Sequence, residues 1–346
     1  MRKIKALVLT DYFQFEYKDV PDPVCKDDEV IVNVKACAIC GSDVHGYDGT
    51  SGRRQPPIIM GHEAAGVISA VGKDVTGYRP GDRVTFDSTV YCGKCWYCRR
   101  GEVNLCENRM VLGVACDDYR NPGAMAEYVA VPERILYKVP DEVTFVQAAG
   151  VEPLSVAMHA VSMSKLRLAN HVAVVGAGTI GLLITQLVRA AGAVDITVID
   201  IDDARLNLAK KFGATDVINS AKEEPAPMIR DKSHGRGADV VFEAVGISAT
   251  IQTAISCTRV GGSVVMVGNL AAKVDLPLQR CVTQQIDLQG TCASAGEYDA
   301  CLEMIGHGMV DIDSIISKVV PLSEGAEWFD RLHAAEPGLI KVVLEP

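Results

Sequence analysis

The chain has 346 residues, nearly half of them apolar and about a quarter charged, with a formal charge of −10. That length predicts two domains with a sizeable core. The acidic balance excludes nucleic acid and anionic membrane as main partners, because both require basic patches. The opening MRKIKALVLTDYF has too short an apolar run for a signal peptide, and no later stretch is long enough to span a bilayer. The expected location is therefore cytoplasmic, where twelve cysteines point to reduced thiols and metal binding rather than disulfides.

The first third is β-rich. EVIVNVKA (29–36) alternates, with Val30, Val32 and Val34 on one face and Asn33 and Lys35 on the other. GVISAVGKDVTGYRPGDRVTF (66–86) predicts two short strands around glycine and proline turns. Past about residue 150 the pattern becomes βαβ: VAVV (172–175) a buried strand, 181–193 a helix, DITVID (195–200) a strand, and 203–214 a helix with a glycine stop. VINS, DVVFEAVG, an apolar helix near 249–258, SVVMVG and IDLQG follow, and the alternation predicts a parallel sheet covered on both faces. The tail carries helix-like stretches at 296–308 and 322–333 and a closing strand, IKVVLEP. The expectation is an α/β chain in which a β-rich domain (1–152 and 291–346) surrounds a nucleotide-binding domain (153–290).

VAVVGAGTIGLL places Gly176-Ala-Gly178-Thr179-Ile180-Gly181 directly after a strand and directly before a helix. In that context the glycines permit a tight turn and close approach to a pyrophosphate seated on the helix N-terminus. Asp200 ends the next strand, where a carboxylate accepts hydrogen bonds from adenosine ribose hydroxyls and repels a 2′-phosphate, favouring NAD over NADP. Arg205 lies close enough to blur that preference.

YCGKCWYCRRGEVNLC (91–106) holds Cys92, Cys95, Cys98 and Cys106, a spacing that wraps four thiolates around one tetrahedral Zn²⁺. Four protein ligands leave no open position, so this zinc is structural. A redox C-x-x-C uses only two of the four sulfurs, and the proline that follows the last cysteine of bacterial ferredoxins is absent. In MGHEAAG (60–66), His62 and Glu63 stand among small residues, a pair uninformative alone. With Cys40, about twenty residues earlier, they supply three ligands and leave a fourth position for water or substrate, the pattern of a catalytic zinc. Glu152, at the domain junction where a cleft is expected, is a further carboxylate.

Together C-G-S-D-x-H, G-H-E-x-x-G, the four-cysteine lobe, G-A-G-x-I-G and G-Y-R-P-G-D-R-V resemble the zinc-dependent medium-chain dehydrogenases over essentially the whole chain. Glu152-Pro153 resembles the sorbitol (polyol) dehydrogenase branch, since ordinary alcohol dehydrogenases commonly place a cysteine there. The resemblance implies a GroES-like catalytic domain around a Rossmann domain, two zinc ions per chain, NAD, and a homo-oligomer, a tetramer or a dimer with the tetramer favoured. It implies that Cys40, His62 and Glu63 bind the catalytic zinc, and that Glu152 holds the metal or its water. It implies Ser42 and His45 as proton relay, and Thr179, Ile180, Asp200, Arg205 and the Val267-Gly268-Asn269 turn as cofactor contacts. A turn-capping hydroxyl and a surface imidazole are the competing roles for Ser42 and His45.

Other residues have plain explanations. Cys37 sits in an alternating strand and reads as a buried thiol; Cys257, Cys281 and Cys301 read as core. His159 and His171 are expected to be satisfied locally. Gly46, and Cys292, Ala293 and Ser294, stand where polyol dehydrogenases tend to carry bulky or basic groups, which predicts a roomier substrate site. Asp117, Asp118 and Tyr119 either bind substrate hydroxyls or form a solvated turn, the turn being favoured. The expected substrate is a secondary alcohol of a polyol, sugar or cyclitol. The alternatives are a threonine- or butanediol-type dehydrogenase, with Ser42 counting against threonine, and a non-enzymatic NAD-binding relative.

Overall fold

The computed structural model describes residues 3–346. They divide into two units, one running to Glu152 and resuming over Ala295–Pro346, the other Pro153–Ser294.

In the first unit the alternating segment becomes the strand Glu29–Ala38, with Val30, Val32 and Val34 buried and Lys35 exposed. It pairs antiparallel with Glu63–Val71, with Tyr128–Pro132 and with the closing strand Lys341–Glu345. Arg83–Phe86 and Leu136–Lys138 extend this seven-stranded sheet past Glu63–Val71, and Ile316–Pro321 extends it past Lys341–Glu345. A smaller sheet joins Lys3–Asp11 to Gln14–Pro21 and Ile58–Ile59. Leu7, Leu9, Val32, Met60, Phe86, Met125 and Phe329 are among the residues of the core between these layers. The register sets Ala38 opposite both Glu63 and Val343. The first residues of two flanking strands, Glu63 and Lys341, and the residues just beyond Ala38 therefore gather at one end of the sheet.

The second unit is a six-stranded, all-parallel sheet: β1 (His171–Val175), β2 (Asp195–Asp200), β3 (Asp216–Asn219), β4 (Ala238–Glu243), β5 (Thr258–Met266) and β6 (Asp287–Gly290), numbered within this unit. Their spatial order is β3-β2-β1-β4-β5-β6, that of a doubly wound dinucleotide-binding sheet. Val172 to Val175 are all buried, as a strand covered on both faces requires. The first helix, Thr179–Ala190, starts two residues before the expected 181 because Gly178 already serves as its N-cap. The next, Asp203–Lys211, is capped by the Asp202 side chain, which accepts from the Ala204 and Arg205 N–H groups. Ile229 from the helix Pro225–Lys232 and Ile251 and Ile255 from Ser248–Cys257 pack on Val175, Ile199, Val241 and Val264.

The tail stretches form the helices Tyr298–Gly306 and Gly325–His333, and no helix among the described residues is long and apolar enough to cross a membrane. Cys37, Cys257, Cys281 and Cys301 are buried. His171 Nδ1 lies 3.0 Å from Asp195.

Candidate active site and metal centres

Beyond Ala38 the chain turns into a short helix, Gly41–Tyr47, which the β-rich pattern did not predict. Cys40 is its N-cap: the sulfur accepts the Ser42 N–H at 3.5 Å, and the Asp43 carboxylate returns to the Cys40 N–H at 3.3 Å. The loop before Glu63–Val71 brings in His62, and one donor atom each of Cys40, His62 and Glu63 lies within 4.8 Å of the others. Sulfur, nitrogen and oxygen bound to one zinc at about 2.0–2.3 Å sit roughly 3.3–3.7 Å apart. The set fits a zinc ion with small side-chain movements.

The groups around these three were not legible beforehand. Asp43 is fully buried; its Oδ1 accepts from Arg54 Nε at 3.2 Å and Nη2 at 3.0 Å, and stands 3.4 Å from His62 Nδ1. Burial alone would raise the Asp43 pKa, but His62 and Arg54 together hold it well below the usual carboxylate range. Burial likewise opposes charge on His62, and Asp43 with the Cys40 sulfur outweighs it, holding the imidazole pKa above its usual value. Arg54, only 4% exposed, also donates from Nη2 to Ser42 Oγ at 3.3 Å. Glu63 meets a second buried cation: Lys341 Nζ lies 2.9 and 2.7 Å from its two oxygens and 3.2 Å from the Ile39 carbonyl. The signal for Lys341 was a lone lysine opening the apolar strand KVVLE.

Glu152 stands outside the group of three. It lies in the helix Val151–Met163 and accepts from Ser88 Oγ at 3.0 Å. Burial, opposed by His62 and reinforced by the Glu63 charge, pushes its pKa up to about 7. Ser42 and His45 lie three residues apart on one short helix and so share a face. In the loop after Cys116, Asp117 accepts from Gln55 at 2.8 Å and Tyr119 Oη accepts from the Val111 N–H at 3.1 Å. Both are engaged in holding the turn.

The four cysteines of the lobe also converge, with all sulfurs within 4.8 Å of one another and those of Cys95 and Cys98 3.4 Å apart. A tetrahedron with Zn–S of about 2.3 Å has edges near 3.8 Å, so this set fits a closed four-sulfur shell. The segment is built from single turns, Cys98–Arg100 and Val103–Leu105, with Trp96 exposed and stacked by Arg100. It has little core of its own. Backbone N–H groups of Lys94 and Cys95 draw the Cys92 thiol pKa down, whereas burial and the neighbouring sulfurs raise that of Cys98. A bound dication would supply the positive charge that a shell of four thiolates needs.

In the second unit Gly176 has φ +99°, and a Cβ on Gly181 would stand 1.8 Å from the Gly176 carbonyl, so only glycine lets the helix start against the turn. Asp200 Oδ2 accepts the Ala177 N–H at 2.6 Å and Oδ1 accepts those of Ile201 and Asp202 at 2.8 and 3.0 Å. The carboxylate thereby ties the glycine turn to the end of β2 at the position expected for a ribose-binding acid. Arg205 Nε lies 4.0 Å from Asp202. Thr179 and Ile180 open the helix, and Val267, Gly268 and Asn269 follow β5.

Residues 26–141 match the alcohol dehydrogenase GroES-like domain family and residues 179–307 the zinc-binding dehydrogenase family. The sorbitol dehydrogenase of Bacillus subtilis (strain 168) is 33% identical, over 100% of this chain and 98% of its own. Probable D-xylulose reductase A of Aspergillus terreus is 34% identical, over 96% of this chain and 95% of its own. Among solved structures, one described as a zinc-binding dehydrogenase from Sinorhizobium meliloti 1021, bound to NADP, superposes with a TM-score of 0.91 at 29% identity, covering all of both chains.

Proposed function

Because the chain belongs to the zinc-dependent medium-chain dehydrogenases, in their sorbitol-dehydrogenase-like branch, it is an oxidoreductase of secondary alcohols, and we propose that its substrate is a polyol, sugar or cyclitol and its cofactor NAD. The observation that carries the reading is the meeting of Cys40, His62 and Glu63 at one end of the first unit's sheet, where the Cys40 sulfur also accepts the Ser42 N–H. These three residues would hold the catalytic zinc, with Glu152 as the further carboxylate for the metal or its water, and Cys92, Cys95, Cys98 and Cys106 would hold a structural one. When bound, zinc supplies a Lewis acid that makes the substrate hydroxyl more acidic, and the nicotinamide accepts the hydride.

The rest is the work of side chains. Ser42 Oγ has two lone pairs and one proton. One lone pair accepts from Arg54, so the other is left for the substrate proton and the serine's own hydrogen passes on, toward His45. Asp43 keeps the His62 ring oriented through Nδ1, the outer-shell contact that metal-binding histidines ordinarily make. Asp200 supports the choice of NAD, since a 2′-phosphate would meet its carboxylate. The branch resemblance supports a homo-oligomer, with a tetramer favoured, and the free cysteines support a reducing, cytoplasmic location.

The test is a screen of zinc-loaded protein against polyols, sugars, cyclitols and simple alcohols with NAD⁺ and NADP⁺. Turnover of a polyol-type secondary alcohol with NAD⁺ at least about tenfold better than with NADP⁺ is expected. Turnover confined to simple alcohols, or a preference for NADP⁺, would reject the proposed substrate or cofactor.

A further inference from the structure

Glu243 is the last residue of β4 and is fully buried. Its Oε1 accepts the N–H groups of Val245 at 3.0 Å and Gly246 at 2.8 Å. Its main-chain carbonyl accepts those of Val267 at 2.8 Å and Gly268 at 3.0 Å. One residue thus holds both turns that leave the carboxyl ends of β4 and β5. The turns touch backbone to backbone: a Cβ on Gly268 would lie 2.3 Å from the Gly246 nitrogen, and one on Gly246 would lie 2.4 Å from the Asn269 nitrogen. The first turn also bears on the glycine fingerprint. The Ala244 N–H donates to the Val175 carbonyl at 2.9 Å, and a Cβ on Gly176 would stand 2.6 Å from Val245 Cγ2.

The placement matters because β1 and β4 are neighbours where the strand order reverses, and a doubly wound sheet binds its ligand outside the carboxyl ends of the strands at that point. β1 to β3 form one mononucleotide-binding half, and β4 to β6 the other. Glu243 Oε2 has no hydrogen-bond partner, so the side chain carries a burial cost that an aliphatic residue at this strand end would avoid. What an aliphatic residue cannot supply is an acceptor for two backbone N–H groups.

We propose that Glu243 is a positioning residue for the second, nicotinamide-side half of the cofactor site, clasping the 244–246 and 267–269 turns into one shelf against the glycine fingerprint. The inference rests on the dinucleotide reading above. Its test uses the full-length protein and calorimetric binding of NADH, or NADPH if that binds tighter, beside the matching adenosine diphosphate, which occupies only the first half. Glu243→Leu is expected to raise the dinucleotide Kd about tenfold or more while the ADP Kd stays within about twofold. Glu243→Gln keeps a carbonyl acceptor and is expected to stay within about threefold of wild type for both. Should Glu243→Leu fail to fold, Gly246→Ala, whose Cβ would stand 2.4 Å from the Asn269 nitrogen, drives the two turns apart and is expected to give the same selective loss. Unchanged dinucleotide binding in the variant that folds, or equal loss of both ligands, overturns the clasp. Wild-type protein that binds ADP but neither dinucleotide would instead remove the dinucleotide reading.

Discussion

Lys341→Met removes the ammonium that faces both oxygens of Glu63, in a place where neither side chain has appreciable contact with water: Lys341 is 5% exposed and Glu63 is fully buried. Methionine fills much of the lysine stem's volume, so the change isolates the charge. Leaving one member of a buried pair uncompensated costs about 3–5 kcal/mol. With a urea slope of about 2 kcal/mol/M, that lowers the unfolding midpoint of this unit by about 1.5–2.5 M. Both tryptophans, Trp96 and Trp328, belong to the first unit, so fluorescence follows its unfolding selectively. The assay is run in chelator and again with saturating zinc. In chelator the full loss is expected; with zinc the metal's own charge faces Glu63, and less than about half of it should remain. The double variant Glu63→Gln/Lys341→Met, with no charge left to strand, should recover most of the loss. A loss below about 1 kcal/mol in chelator, or a double variant no more stable than the single one, would refute the reasoning.

Cys40→Ser is expected to abolish turnover with unfolding close to wild type, whereas Cys92→Ser lowers thermal stability first; equal destabilisation by both would erase the distinction between the two metal sites. Asp43→Asn keeps the shape of the His62 contact but not its charge, and should weaken zinc binding about 10–100-fold in a competition against a chromophoric chelator. Asp239 offers a pH test in the second unit. Burial would raise its pKa, but the Arg259 guanidinium at 2.6 Å and the His171 N–H at 2.9 Å outweigh this and hold it below 3.8. A lowered acid pKa gives stability that is full above the unfolded value and lost as pH falls through the folded one. Asp239→Asn should therefore cost about 1 kcal/mol at neutral pH, read by hydrogen exchange of β1, and nothing measurable well below pH about 3.8. A gap that widens on acidification contradicts this.

The parts of the molecule that could be seen in the sequence are those whose physics is local. A glycine turn between a strand and a helix, an acid at the end of the next strand, and four sulfurs within sixteen residues each declare their geometry over a short span. The helix Gly41–Tyr47 was missed because its seven residues carry no apolar repeat; its N-cap is a cysteine and its capping-box acid is Asp43, which also faces His62. Lys341 is separated from Glu63 by 278 residues, and only the strand register with Glu29–Ala38 brings them together. Nothing in the local sequence around Arg54 marks it as buried; its place in the interior goes with the Asp43 carboxylate that accepts from its Nε and Nη2. Glu243 was hidden in an apolar run, where a carboxyl at a strand end gives no hint that two turns hang from it. Long-range pairing of charges is what a reading by motif leaves out.

The most direct test of the account is the zinc content of wild-type protein beside Cys40→Ser and Cys92→Ser. Close to two ions per chain in wild type and close to one in each variant is predicted, the Cys92→Ser protein keeping the ion that Cys40, His62 and Glu63 hold. Wild-type protein that retains one ion, unaffected by Cys40→Ser and lost with Cys92→Ser, would contradict it.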